Sequence, residues 1–192
     1  MGLDSIELLV EIETYFNIQI PDQEAESIVT IQKMVDKVAE HLNIQRVDSS
    51  LKQIVFNSLA NKLNKNDYNI QLNDKIASFL NTDGKSVWAD LELSTGLTLP
   101  RPDNYNSKSN KLSDKFKSLI GWTPNYDWSQ ISVSEFVDAV CACNYLKLVD
   151  KSNLKSKYDI YIAVTGITVD KIGVEYFEIS PEKSFTADLG VD

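Results

Sequence analysis

One landmark in this chain occurs twice, and it limits what the chain can fold into more than any single motif does. F-N-I-Q-I-P at 16–21 returns as T-G-L-T-L-P at 95–100, and T-I-Q-K-M-V-D-K-V at 30–38 returns as S-V-S-E-F-V-D-A-V at 132–140. In each copy a segment of helical periodicity runs into an alternating stretch closed by proline, and a helix with a Ser or Thr cap follows. Two matches in the same order indicate a repeated supersecondary unit, with extra residues between the landmarks in the second copy. At 192 residues the chain is long enough for two small domains.

The rest of the pattern is helical as well. Residues 5–16 read as an amphipathic helix carrying Ile6, Leu9, Val10, Glu13 and Phe16, with Asp4 or Ser5 as its cap and Pro21 forbidding continuation. Thr30 caps a helix over 31–42 with Ile31, Met34, Val35, Val38 and Leu42 as its stripe. Further helices are predicted at about 51–64 (Ile54, Val55, Leu59, Leu63), 86–94, 112–120, 133–146 and 158–173, the last with Gly173 near its C-cap. A polar loop at 101–111 and a solvated linker at 150–157 separate them, and the tail after Gly173 is loop-like. No stretch of useful length has the strand period, so the fold class is all-α.

Composition excludes several functions. A formal net charge of −9 and a sequence pI of about 4.7 argue against nucleic acid and suit partners that present basic patches. Cys141 and Cys143, in a C-A-C run, are too close for an ordinary disulfide and too few to close a zinc site, which leaves two half-buried thiols on a helix. A reducing cytoplasm suits them. No signal-peptide pattern or membrane-length apolar run is present, and the M-G start fails as a myristoylation motif because Ile6 stands where Ser or Thr is needed. The single histidine, His41, ends an amphipathic helix, where a cap or surface role is expected. With no Ser–His–acid set, no metal-ligand spacing and no phosphate-binding glycine loop, the chain is not expected to be an enzyme.

G-L-D-S-I-E-L-L-V-E-I-E-T-Y-F-N-I-Q-I-P-D at 2–22 resembles the acyl carrier protein family. In that family a D-L-G-x-D-S-L loop leads into a second helix that ends in an acidic stretch and F-x-I-x-I-P-D. The helix at 31–42 resembles the family's last helix. Y-D-I-Y-I-A-V-T-G-I-T-V-D-K-I-G-V at 158–174, followed by E-I-S-P-E-K-S-F-T-A-D-L-G-V-D at 178–192, resembles its first helix and following loop. The resemblance therefore implies two four-helix bundles. Residues 1–45 together with 155–192 would form an acyl carrier domain in permuted order, and 50–150 a degenerate carrier-like helical domain. A fragment of a longer tandem array is the other explanation of this order. Either way the helix at 158–173 should pack on those at 5–16 and 31–42, within one chain or in a domain-swapped dimer. In T-D-G-K-S (82–86), if Asp83 matches Asp4, Gly84 stands where a serine would be, so the middle domain should take no prosthetic group. Ser86 lies nearby without a D-S-L context.

The chemistry implied is that of a tether. A phosphopantetheinyl transferase esterifies a serine with 4′-phosphopantetheine, whose thiol holds an acyl chain as a thioester. A helix N-terminus favours the phosphodiester through its free N–H groups and dipole. Ser5 suits that role, and it equally suits a plain N-cap. From Ser5 to Phe16 the chain is about one turn, ~3.6 residues, shorter than the family's helix. Two registers follow. In one, Ser5 is the tether and the helix has lost nearly a turn. In the other the helix is full length, L-D-S-I at 3–6 follows the true serine, and that serine falls at the junction of Asp192 and Gly2.

Asp4, Glu7, Glu11 and Glu13, with Asp22, Glu24 and Glu26 beside them, would meet basic patches on the transferase and on acyl-handling enzymes; as a bare charge run they would be a solvated helix face. The bundle interior could shelter a fatty acyl chain. The function expected is acyl carriage in fatty-acid, lipid or polyketide-type synthesis. The alternative is a structural or interaction module that keeps the fold without the arm.

Overall fold

Helix signals in the sequence become helices wherever the computed structural model describes the chain, which is over residues 3–63, 69–80, 85–102 and 126–191. Among these residues the helices are α1 (Leu3–Phe16), α2 (Asp22–Ala25), α3 (Ile31–His41), α4 (Ser50–Leu63), α5 (Lys85–Thr95), α6 (Val133–Cys143), α7 (Tyr145–Leu148) and α8 (Lys157–Ile172). Extended pairing among them is limited to two isolated bridges, Thr30–Ser184 and Lys75–Ser132. The helix expected at 112–120, most of the loop at 101–111, and Asp83 with Gly84 lie outside the described residues.

The chain divides into two units. The first combines Met1–Leu51 with Asn144–Asp192, and the second is Lys52–Cys143. In the first unit α8 is the central element. Ser156 and Asp159 start it with a reciprocal capping box: the Ser156 hydroxyl accepts the Asp159 N–H and the Asp159 carboxylate accepts the Ser156 N–H. Gly173, at φ 78°, ends it in the left-handed conformation that glycine adopts without a Cβ penalty. Between these caps Ile160, Ile162, Ala163, Val164 and Ile167 are buried, and the helix lies against α3 and α1. Two ion pairs fasten it: Lys157 to Asp36 on α3 at 2.6 Å, and Lys171 to Glu7 on α1 at 3.0 Å.

Both units are sewn by the same backbone hydrogen bonds. The segment after α8 is laid across the start of α3: Ile31 donates to Lys183, Gln32 to Pro181, and Phe185 to Val29. In the second unit Val133 donates to Asp74, Ser134 to Leu72, and Ile76 to Ile131, at matching positions of both strands of chain. Buried Ile70, Ile76 and Leu80 thus stand where Ile179, Phe185 and Leu189 stand. Asp36 of V-D-K-V takes a lysine from α8, and Asp138 of V-D-A-V takes Lys52 from α4, at 2.7 Å.

Four local expectations are corrected. α1 already includes Leu3, so Asp4 and Ser5 are inside the helix and do not cap it. Its buried stripe is Leu8, Leu9, Ile12 and Phe16, while Ile6 and Val10 face solvent; Ile54 of α4 is likewise exposed. The helix begun at Val133 breaks at Asn144, whose φ of −116° and ψ of 21° leave the helical basin. Finally, 150–157 is not simply a solvated linker: Ser156 is 2 % exposed, and the Lys157 N–H is donated to the Arg46 carbonyl.

Candidate functional site

By helical spacing Ser5 falls on the same face of α1 as Leu8, Leu9 and Ile12, the face turned to the interior. It is half-buried in the first turn of α1. Beside it lies an apolar cavity of ≈ 250 Å³, lined by Ser5, Leu8 and Leu9 from α1, Met34 from α3, the turn after α2, and Phe185 and Val191 from the C-terminal segment. The sequence reading anticipated an apolar interior but not these lining residues. Phe185 and Val191 are buried in the tail with Ile179 and Leu189, at spacings of no regular period, so no pattern in the sequence marks them.

Three devices hold the walls in place. The turn after α1 passes through Asn17 at φ 52°, and the Ile20 N–H is returned to the Glu13 carboxylate at 2.6 Å. Thr30 caps α3 by accepting the Lys33 N–H at 3.2 Å. In the tail, Asp188 accepts the Ser184 N–H at 2.8 Å, and Val191 donates to the Phe185 carbonyl at 2.8 Å. Gly190 takes φ 68°, which turns D-L-G-V back beside Ser5. The Ser184 backbone hydrogen bond, outweighing partial desolvation and helped by Lys183, holds the Asp188 carboxyl below its usual range.

The acidic residues separate by role. Asp4, Glu7 and Glu11 are exposed along one side of α1, next to exposed Ile6 and Val10. Glu7 is also paired with Lys171. Glu13 is half-buried and engaged by Ile20. Farther along, Glu24 is held below the usual carboxylate range by hydrogen bonds from His41 and Lys37, outweighing partial desolvation, so His41 closes α3 onto α2. Among the described residues no cluster of His, Cys, Asp and Glu could hold a metal ion, and no helix is long and apolar enough to cross a membrane. Cys141 is buried in α6 and Cys143 half-buried.

Over 40 residues the chain is 51% identical to an acyl carrier protein of Rubrobacter xylanophilus. Over 39 residues it is 45% identical to acyl carrier proteins of Chlorobium phaeobacteroides and of Chlorobium phaeovibrioides. This stretch is homologous to acyl carrier proteins. It is 21% of this chain for the first relative and 20% for the other two, and the chain spans about half the length of each acyl carrier protein it matches, 49%, 50% and 50%. No family model and no solved structure matches the chain.

Proposed function

We propose that the unit formed by Met1–Leu51 and Asn144–Asp192 is an acyl carrier bundle in permuted order. It carries an acyl group on a 4′-phosphopantetheine arm and performs no catalysis of its own. The observation that carries this reading is an apolar cavity opening beside Ser5, in a chain with local homology to acyl carrier proteins. The cavity suits the cargo because its walls are mostly apolar, Leu8, Leu9, Met34 and Phe185 among them, and offer an alkyl chain contact. The bound arm supplies a thiol that holds the acyl group as a thioester. Ser5 supplies the anchoring hydroxyl in the first turn of α1, where N–H groups and the helix dipole favour a phosphodiester.

Exposed Asp4, Glu7 and Glu11, flanked by Ile6 and Val10, form the face that meets basic patches on the transferase and on acyl-handling enzymes of fatty-acid, lipid or polyketide-type synthesis. The packing of α8 against α1 and α3 within one chain supports a bundle closed by a single chain.

One observation favours a second reading. Ser5 is inside the helix and on its inner face, which suits the register in which L-D-S-I follows the attachment residue. The residue before Leu3 is then Gly2, which has no hydroxyl, and the chain is a non-carrying interaction module with the carrier fold. Incubation with a phosphopantetheinyl transferase and coenzyme A, read by intact mass, separates the two. One arm per chain, lost in Ser5→Ala, supports carriage; a folded chain that never gains mass supports the module.

A further inference from the structure

The cavity beside Ser5 has a counterpart address in the Lys52–Cys143 unit, and three aromatic rings occupy it. The hydrogen bonds shared by the two units fix the correspondence. Leu9 lies one turn before Glu13, and Trp88 lies one turn before Glu92. Met34 lies one turn after Ile31, and Phe136 one turn after Val133. Glu26 stands just ahead of Val29, and Trp128 just ahead of Ile131. Leu9, Met34 and Glu26 all line the cavity. Their counterparts are in mutual contact, with ring centroids 5.9 Å apart for Trp88–Trp128 and 6.0 Å apart for both Trp88–Phe136 and Trp128–Phe136.

We propose that the Lys52–Cys143 unit is a carrier-type bundle whose cargo pocket is permanently filled by its own Trp88, Trp128 and Phe136, so that an apolar chain is taken up only beside Ser5. This rests on the carrier reading of the first unit, and it adds an observation independent of Gly84. Trp88 and Phe136 are completely buried. Two of the contacts are edge-to-face at interplanar angles of 74° and 83°, the arrangement in which aromatic quadrupoles attract. The Arg101 guanidinium sits 5.8 Å over the Trp88 ring while pairing with Glu92 at 2.8 Å, which pins the ring. Interiors packed in this way leave little space for a ligand. In the first unit the same positions hold leucine, adaptable methionine, and a glutamate that stays in solvent at the mouth. One chain therefore carries one cargo.

Xenon, which enters apolar cavities, is a probe that needs no prosthetic group. In the full chain with labelled methyls, xenon should shift the signals of Leu8, Leu9, Met34 and Val191. Those of Ile76 and Ile131, the counterparts of Phe185 and Val29, should stay in place. Trp88→Leu should then bring Ile76 and Ile131 into the responding set. The proposal is overturned if Ile76 and Ile131 shift in the unaltered chain as far as Leu9 and Met34, or if a folded Trp88→Leu chain leaves them unmoved. Should that variant fail to fold, the unaltered chain decides alone. Silence at Leu9 and Met34 would count against the acyl pocket of the proposed function, while Ile76 and Ile131 would still report on the filled one.

Discussion

The carboxylate of Glu13 accepts the backbone N–H of Ile20 at 2.6 Å, seven residues further along the chain. Glu92 does the same for Leu99 at 3.0 Å. In both places the chain leaves a helix through a left-handed residue, Asn17 at φ 52° or Gly96 at φ 67°, and the glutamate satisfies an N–H that the turn leaves without a backbone partner. A hydrogen bond to a charged group contributes about 1.5–3 kcal/mol. Glu13→Ala should therefore destabilise the first unit by about that much, while Glu11→Ala, at an exposed site, should stay within about 0.5 kcal/mol. All three tryptophans fall between residues 52 and 143, so amide exchange at Val35 and Val164 is the suitable readout. Equal small effects at both positions would show that Glu13 is only another surface charge.

Stability should fall on both sides of a broad pH plateau. Hydrogen bonds hold Glu24, Asp48 and Asp188 below the usual carboxylate range. Asp36 is below it too, because bonds from Lys157 and Gln32, with nearby lysine charge, outweigh burial. A depressed folded pKa gives stability that is present above the ordinary value, about 4, and lost as pH falls through the folded values. Tyr145 shifts the other way, to about 12, through burial first and then the Asp170 carboxylate. Its contribution is complete below about 10 and is lost as pH rises towards 12. Lys37, raised by Glu40 and Glu24, acts with the same sign. Urea midpoints measured from acid to alkali should trace this plateau, and Tyr145→Phe should shallow the alkaline limb. An unchanged limb in that variant would remove Tyr145 from the account.

Ser156→Ala should cost about 1 kcal/mol, within the 0.5–2 typical of a lost N-cap. The effect should be local: amide exchange at Asp159 should quicken, while Gly173, at the far end of α8, should respond only through the global loss. Uniform acceleration along α8 with no extra effect at Asp159 would contradict the capping box.

Most helices were legible because their apolar residues recur at helical spacing over several turns, as with Ile31, Met34, Val35 and Val38. The Asp22–Ala25 helix, at four residues, is too short to have a period. On α1 the stripe was misjudged because Ile6 and Val10 are as apolar as Leu8 and Ile12, and hydropathy cannot say which side meets α8. The linker expected at 150–157 is rich in Lys, Ser and Asn, yet Ser156 is buried because the start of α8 uses its hydroxyl, a tertiary fact that composition does not encode. The match between 70–80 and 179–189 was invisible as letters, since it consists of backbone bonds and three buried apolar positions among unlike residues. At the site, Ser5 was singled out by its motif, while its inward position and the lining by Phe185 and Val191 follow only from packing.

Carriage by the first unit is tested most directly by intact mass after incubation of the folded chain with a phosphopantetheinyl transferase and coenzyme A, in parallel for the unaltered chain, Ser5→Ala and Gly2→Ser. The account predicts one phosphopantetheine per unaltered chain, none on Ser5→Ala despite a retained helical fold, and no arm on the Lys52–Cys143 unit. An unaltered chain that stays folded and gains no mass would contradict it. Labelling of Gly2→Ser alone would then move the anchor to the residue before Leu3, and failure of that variant as well would leave the interaction module as the function.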